Sequence, residues 1–304
     1  MGRRGATTLA GILAIDKPAG MTSHDVVAQV RRATGEGRVG HAGTLDPAAT
    51  GLLVVLVGPY TRLEPYLSGA AKDYDAVIAF GAETDTEDAE GEIVEVGPVP
   101  DELFESHRAQ SALDALLGPQ LQTPPAYSAI KVAGRVAHRA ARAGEALTLV
   151  PRPIEVYAAD LLALDPAART WTVRFRVSKG TYVRSLARDL GRACGTAAHL
   201  AGLRRTRSGQ LDLADAHSLD SVLQVAAQGR VTSLFADPLT ALGLPVVEGD
   251  APALAVGSAL SCSLAPGLPA GAALAVTLEG RLAGVYRAGD GRLLPEVVLT
   301  GGVR

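Results

Sequence analysis

The sequence predicts an α+β fold followed by a small all-β domain. Two observations carry this. Strand-like and helix-like hydrophobic patterns mix up to Leu242 without the regular repeat of a doubly wound sheet. From Asp237-Pro238 to Pro245 the composition then changes to Gly-rich sequence with short apolar runs and no helical period. A boundary at Gly243 gives a larger domain over 1–242 and a smaller one over 243–304.

The elements follow in order. Residues 11–15 read as a strand, ended by the turn Asp16-Lys17-Pro18-Ala19-Gly20. Thr22 with Asp25 three residues on forms a capping box that opens a helix, with Val26, Val27 and Val30 inward and Gly35 near its end. Residues 53–57 form an apolar strand, and Tyr74, Ala76, Ile78 and Phe80 alternate along one face of another. The acidic stretch from Glu83 is a loop leading to a weak strand near 93–96, and 101–117 reads as a helix. Residues 154–164 are strand-like. Residues 171–178 alternate apolar and polar side chains, so Arg174 and Arg176 share the solvent face of a half-buried strand. Thr181 then caps a helix to about Ala193. Val183, Leu186 and Leu190 supply its core side, and Arg184, Arg188 and Arg192 form a solvent-facing stripe at every fourth residue. In the smaller domain 274–276, 282–285 and 297–299 read as short strands.

Composition narrows the function class. Hydrophobic residues make up 47% of the 304 and charged ones 20%, which excludes a disordered or collagen-like chain. No apolar run approaches the roughly eighteen residues a membrane-spanning helix needs. Cys194 and Cys262 are too few for a disulfide framework and suit a reducing cytoplasm. Asp16-Lys17-Pro18 interrupts the first apolar stretch before a signal-peptide core forms, so the expected location is cytoplasmic. The net charge of −3 hides two opposite fields. Residues 171–210 hold nine basic side chains and one acid, Asp189, whereas 83–105 hold ten acids and no Lys or Arg. A surface that concentrates Arg can hold phosphates whatever the total charge.

The densest special segment is Gly40-His41-Ala42-Gly43-Thr44-Leu45-Asp46-Pro47-Ala48-Ala49-Thr50-Gly51. Its glycines allow tight turns or close approach of a ligand, and Pro47 keeps Asp46 out of helical geometry. An Asp-Pro pair alone is ordinarily a structural turn. No phosphate-binding GxxxxGK[ST] loop, zinc constellation or GxSxG elbow accompanies it.

The twelve-residue segment resembles the catalytic motif of the TruB family, tRNA pseudouridine synthases acting on uridine 55 in the T loop. Further blocks resemble the family in its order. They are residues 11–23 (GILAIDKPAGMTS), Lys72-Asp73-Tyr74, the acidic loop 84–91 (TDTEDAEG), 124–131 (PPAYSAIK), Arg152-Pro153-Ile154, 178–184 (SKGTYVR) and Leu203-Arg204-Arg205-Thr206. The resemblance spans about 11–220. It implies a mixed, largely antiparallel pseudouridine synthase domain, with an RNA-clamping insertion at 124–152 and a PUA-like RNA-binding domain at the C-terminus.

The implied chemistry breaks a glycosidic C–N bond and remakes it as C–C to the same uracil. As an isomerisation it needs no energy source, cofactor or metal. The resemblance makes Asp46 the nucleophile, Arg184 the cation that favours its charged form, and Tyr74 the ring that stacks on the target base. Leu203 becomes an apolar wall and His41 an RNA contact. Tyr182, Lys17, Lys131, Arg174 and Arg176 complete the expected substrate contacts. The implied partner is the T arm of tRNA, met by a monomer with no membrane and no obligatory protein partner. A non-catalytic RNA-binding or tRNA-folding protein on the same scaffold is the first rival. An unrelated Asp-nucleophile hydrolase of a small molecule is the second.

Overall fold

The computed structural model describes residues 8–299 except 133, 146, 256 and 290. Its packing divides into two compact units, Met1–Ala70 with Arg207–Arg304, and Ala71–Thr206.

In the first unit the apolar strand Thr50–Val57 is central. It pairs antiparallel with Gly11–Lys17 from Gly11↔Val57 to Lys17↔Gly51, and with Val39–Ala42 on its other edge. Gly11–Lys17 in turn pairs in parallel with His217–Ser218, making the arrangement mixed. Every residue from Gly51 to Val57 is buried, as expected of a near-continuous apolar run covered on both faces. The helix Ser23–Thr34 has the capping box that Thr22 and Asp25 predict. Val26, Val27 and Val30 are buried, and Gly35 closes it in the left-handed conformation at φ 68°.

A short helix Pro238–Leu242 ends at Gly243, and a five-stranded sheet follows. Its order is Val246–Glu248, Ala273–Leu278, Arg281–Gly289, Arg292–Val298 and Leu260–Ser261. Two helical turns, Ala251–Ala255 and the 3-10 turn Cys262–Leu264, interrupt the otherwise all-β pattern. Ala275, Leu282, Val285 and Val297 share a core with Leu52, Val54, Tyr60 and Leu63. The seam is tied by Arg62 Nη1 donating to the Val298 carbonyl at 2.6 Å. The Tyr66 hydroxyl also donates to Glu296, which Arg287 grips from the other side.

The second unit holds strands in the order Ala198–Ser208, Lys72–Phe80, Thr170–Val177, Arg152–Asp165 and Gly118–Gln122. Lys72–Phe80 and Thr170–Val177 pair antiparallel with Tyr74 opposite Phe175, and both show the predicted alternation. The helix expected over 101–117 is in two pieces, Asp101–Phe104 and Ser106–Asp114, because Glu105 is extended (φ −83°, ψ 121°). That break lets Phe104 set its ring edge-on to Phe80, with centroids 6.5 Å apart. The expected Thr181 cap is also displaced. The N-cap of the helix Val183–Ala193 falls one residue later, at Tyr182, and the Thr181 hydroxyl turns to Ser178 instead. Gln122 clasps the Tyr182 backbone, accepting from its N–H at 2.9 Å and donating to its carbonyl at 3.1 Å.

Candidate active site

Asp46 lies in a turn closed by the Ala49 amide donating to its carbonyl at 3.2 Å, as an Asp-Pro pair favours. What sets this turn apart is how it is held. Lys17 is fully buried at the end of its strand, and its ammonium donates to the carbonyls of Pro18 (2.9 Å), Met21 (2.7 Å) and Pro47 (3.1 Å). The Gly20 amide reaches the Pro47 carbonyl as well, at 2.9 Å; the turn behind it needs Gly20 at φ 79°. On the other side of Asp46 the buried Ser23 hydroxyl both accepts from the Leu45 amide (2.9 Å) and donates to the Leu45 carbonyl (3.0 Å). The sequence block 11–23 is thus the cradle for the segment 45–47. Lys17, expected among the substrate contacts, stands at 0% exposure and donates to three backbone carbonyls. His41, half-buried on the strand Val39–Ala42, meets His24 edge-on with ring centroids 5.3 Å apart.

The helix carrying Arg184 departs from its sequence reading. Val183, Leu186 and Leu190 are buried as predicted, but Arg184 and Arg188 are only 6% exposed rather than facing solvent. The stripe is turned toward the acidic segment. Arg184 Nη1 donates to the Thr86 carbonyl at 2.9 Å and Nη2 to the Tyr127 carbonyl at 3.1 Å, with Asp88 3.7 Å away. Arg188 pairs with Glu87 and Asp189 and donates to the Thr123 carbonyl. Exposed Arg192 makes a two-pronged contact with Glu83 at 2.6 and 3.1 Å. The basic and acidic fields therefore meet, and buried arginines require such partners. Burial pushes the Glu87 carboxyl above the usual carboxylate range, against the pull of Arg188, the Ser185 hydroxyl and Arg184.

The remaining predicted residues fall in three settings. Tyr74 is buried on its strand, while Leu203 on the strand Ala198–Ser208 and Tyr182 before the helix are half-buried. Arg174 and Arg176 share an exposed face, as read. Each has a cross-strand carboxylate, Asp75 in a fork at 2.8 and 2.9 Å and Asp73 at 3.8 Å. Lys131 is exposed in a short hairpin, Lys131–Val132 with Arg135–Val136, that precedes the helix Ala137–Arg142. The start of the segment 124–152 is tied to the acidic loop through the Tyr127 hydroxyl, which donates to Asp85 at 3.1 Å. Sequence reasoning missed Ser23, Gln122 and Glu87. The first two carry no pattern signal, whereas Glu87 sits in the acid run that mirrors the basic one.

Family comparison matches these segments. A model of the TruB family pseudouridylate synthase N-terminal domain covers residues 31–183, and one of the tRNA pseudouridylate synthase B C-terminal domain covers 184–246. The chain belongs to the TruB family. Among its relatives, a tRNA pseudouridine synthase B of Deinococcus deserti is 39% identical, over 94% of this chain and 98% of its own. One of Leifsonia xyli is 48% identical over 71% and 73%. In fold, the TruB-family chain resembles a solved Cbf5-Nop10-Gar1 complex at TM-score 0.74 and 25% identity, over 95% of this chain and 84% of that one. Among the described residues no helix is long and apolar enough to cross a membrane.

Proposed function

We propose that this protein isomerises uridine 55 in the T loop of tRNA to pseudouridine, with Asp46 as the nucleophile on a flipped-out base. The observation that carries the reading is the pinned turn. A catalytic carboxylate is useful when its backbone is fixed before substrate arrives, and Lys17, Gly20 and Ser23 fix residues 45–47 on both sides of Asp46. That the matched relatives are named tRNA pseudouridine synthases supports tRNA as the partner.

In the proposed reaction Asp46 attacks the nucleotide, at the sugar or at the base, and the bond between uracil N1 and ribose C1′ breaks. The uracil turns and rejoins C1′ through C5, C5 gives up its proton, N1 gains one, and the carboxylate leaves unchanged. Extracting the base from the folded loop costs a few kcal/mol. Stacking on Tyr74 and packing on Leu203 offset it, together with RNA contacts from His41, Tyr182, Lys131, Arg174 and Arg176. Arg184 supplies positive charge to the reacting nucleotide. Lys17 acts through the turn it holds rather than on RNA. The smaller C-terminal domain adds RNA contacts, and the enzyme works in the cytoplasm as a monomer.

The test is incubation of purified protein with unmodified tRNA and mapping of pseudouridine. Wild type places it at position 55. Asp46→Asn lowers the single-turnover rate by more than about a thousandfold while tRNA affinity stays within about threefold. A variant that still converts uridine removes Asp46 as nucleophile. Wild-type binding without conversion makes the protein an RNA-binding or tRNA-folding factor, and a salt-insensitive small substrate makes it a hydrolase.

A further inference from the structure

We infer that Glu87 is a positioning residue for Arg184, holding a left-handed turn of the acidic segment against one turn of the helix Val183–Ala193. The inference rests on the reading of Arg184 as catalytic.

Glu87 has φ 63°, in the region that favours glycine. Two other described residues that are not glycine, Arg169 and Glu279, share this conformation, and both are exposed. Glu87 is 7% exposed. The position thus combines an unfavourable backbone with burial of a carboxylate, a pairing that persists only where the surroundings impose it.

Those surroundings are specific. The Glu87 carboxylate accepts from the Ser185 hydroxyl at 2.6 Å and pairs with Arg188. Its two chain neighbours both face Arg184. The Thr86 carbonyl accepts from the guanidinium at 2.9 Å, and the Asp88 carboxylate stands 3.7 Å away. Three consecutive residues therefore address one helical turn. The middle one grips Ser185 and Arg188 so that the outer two meet Arg184. The main chain of Glu87 is closed as well, its amide donating to the Thr84 carbonyl and its carbonyl accepting from the Leu200 amide. A glycine would relieve the backbone without the grip.

The groups facing the Glu87 carboxylate are Arg184, Ser185 and Arg188 from the helix. In its own segment Asp88 faces Arg184, and Arg188 is also shared with Asp189 and the Thr123 carbonyl. Protonation of Glu87 removes its charge from this set, and burial places that event above the ordinary carboxylate range. The acid limb of the reaction rate follows it. As pH falls, the grip on Arg188 weakens and Arg184 loses its alignment.

The test uses the full-length protein and unmodified tRNA under single-turnover conditions, with tRNA affinity measured separately. Glu87→Gly, which accepts the left-handed backbone, reacts at least about tenfold more slowly with affinity within about twofold. Glu87→Gln keeps an accepting oxygen for Arg188 and turns its NH2 on the Ser185 hydroxyl, which then accepts, but it loses the charge; it is about threefold slower and its acid limb moves to lower pH. A Glu87→Gly rate within about twofold of wild type overturns the inference, as does an equal fall in rate and affinity. If neither variant folds, Ser185→Ala decides. A two- to threefold slower reaction (~0.5 kcal/mol) with an altered acid limb supports the inference, and an unchanged one overturns it. Failure of wild type to make pseudouridine instead overturns the underlying reading of Arg184, independently of any Glu87 variant.

Discussion

Around Asp46 the chain is held through its backbone. An ammonium, an amide and a hydroxyl bond to main-chain atoms of residues 45–47. Around Arg184 it is held chiefly through charge, with Glu83, Glu87 and Asp88 set against Arg192, Arg188 and Arg184. The Asp46 turn rests on bonds to main-chain atoms, which do not titrate. The Arg184 turn depends on ionisation and on burial that shields its pairs from salt. The comparison thus separates a fixed turn from one that conditions can tune.

The most damaging change to the fixed part is Lys17→Met. It strips three carbonyls of a charged donor, each worth on the order of 1–2 kcal/mol, so chemical denaturation should show a loss of about 3–6 kcal/mol. The single-turnover rate should fall by about a hundredfold with tRNA affinity little changed. A normal rate in a folded variant would break the distinction, because the Asp46 turn would not need its cradle.

The seam between the N-terminal segment and the C-terminal sheet mixes both modes and gives a smaller effect. Burial and the Glu296 contact raise the Tyr66 hydroxyl from 10.0 to about 12. A group whose folded value is raised stabilises fully below its unfolded value and loses that contribution as pH rises through the folded one. Wild type should therefore lose stability between pH 10 and about 12 relative to Tyr66→Phe. Denaturation midpoints for the two proteins across that window measure it; parallel curves would discount the seam.

The smallest effects belong to the exposed strand face. Arg174→Ala should weaken tRNA binding by a few-fold and lower its salt slope by about one, with the rate at saturation unchanged. Asp75→Asn releases the same guanidinium from its fork and should tighten binding at low salt. If both substitutions leave affinity untouched, this face does not meet RNA.

Much of the fold was legible because local signals agreed with the tertiary outcome. The Thr22–Asp25 capping box, the alternation from Tyr74 to Phe80 and that from Trp171 to Val177 all describe what the structure contains. Periodicity failed at the Arg184 helix, since it treats a charged stripe as solvated. The helix is buried on both sides, and its second side is covered by carboxylates more than ninety positions earlier in the chain. The opposed charge runs held that information, but only as a pairing between distant segments. The cradle was less legible still. Nothing in Ser23 or Lys17 announces an acceptor at Leu45 or Pro47, because those contacts use the backbone, which every sequence shares.

The first unit is built from segments before and after the second in sequence, and this sets an order on the ribosome. The strands Lys72–Phe80, Gly118–Gln122, Arg152–Asp165 and Thr170–Val177 are all available to one another once Val177 has been made. The carbonyl of Ile12, by contrast, waits for the amide of Ala236, and the side-chain-free face of Gly11 waits for the ring of Phe235. At about 5–20 residues per second that wait lasts on the order of tens of seconds. The nascent protein therefore carries an apolar first strand with an unsatisfied edge for most of its synthesis, and the cradle of Asp46 hangs from that strand's end.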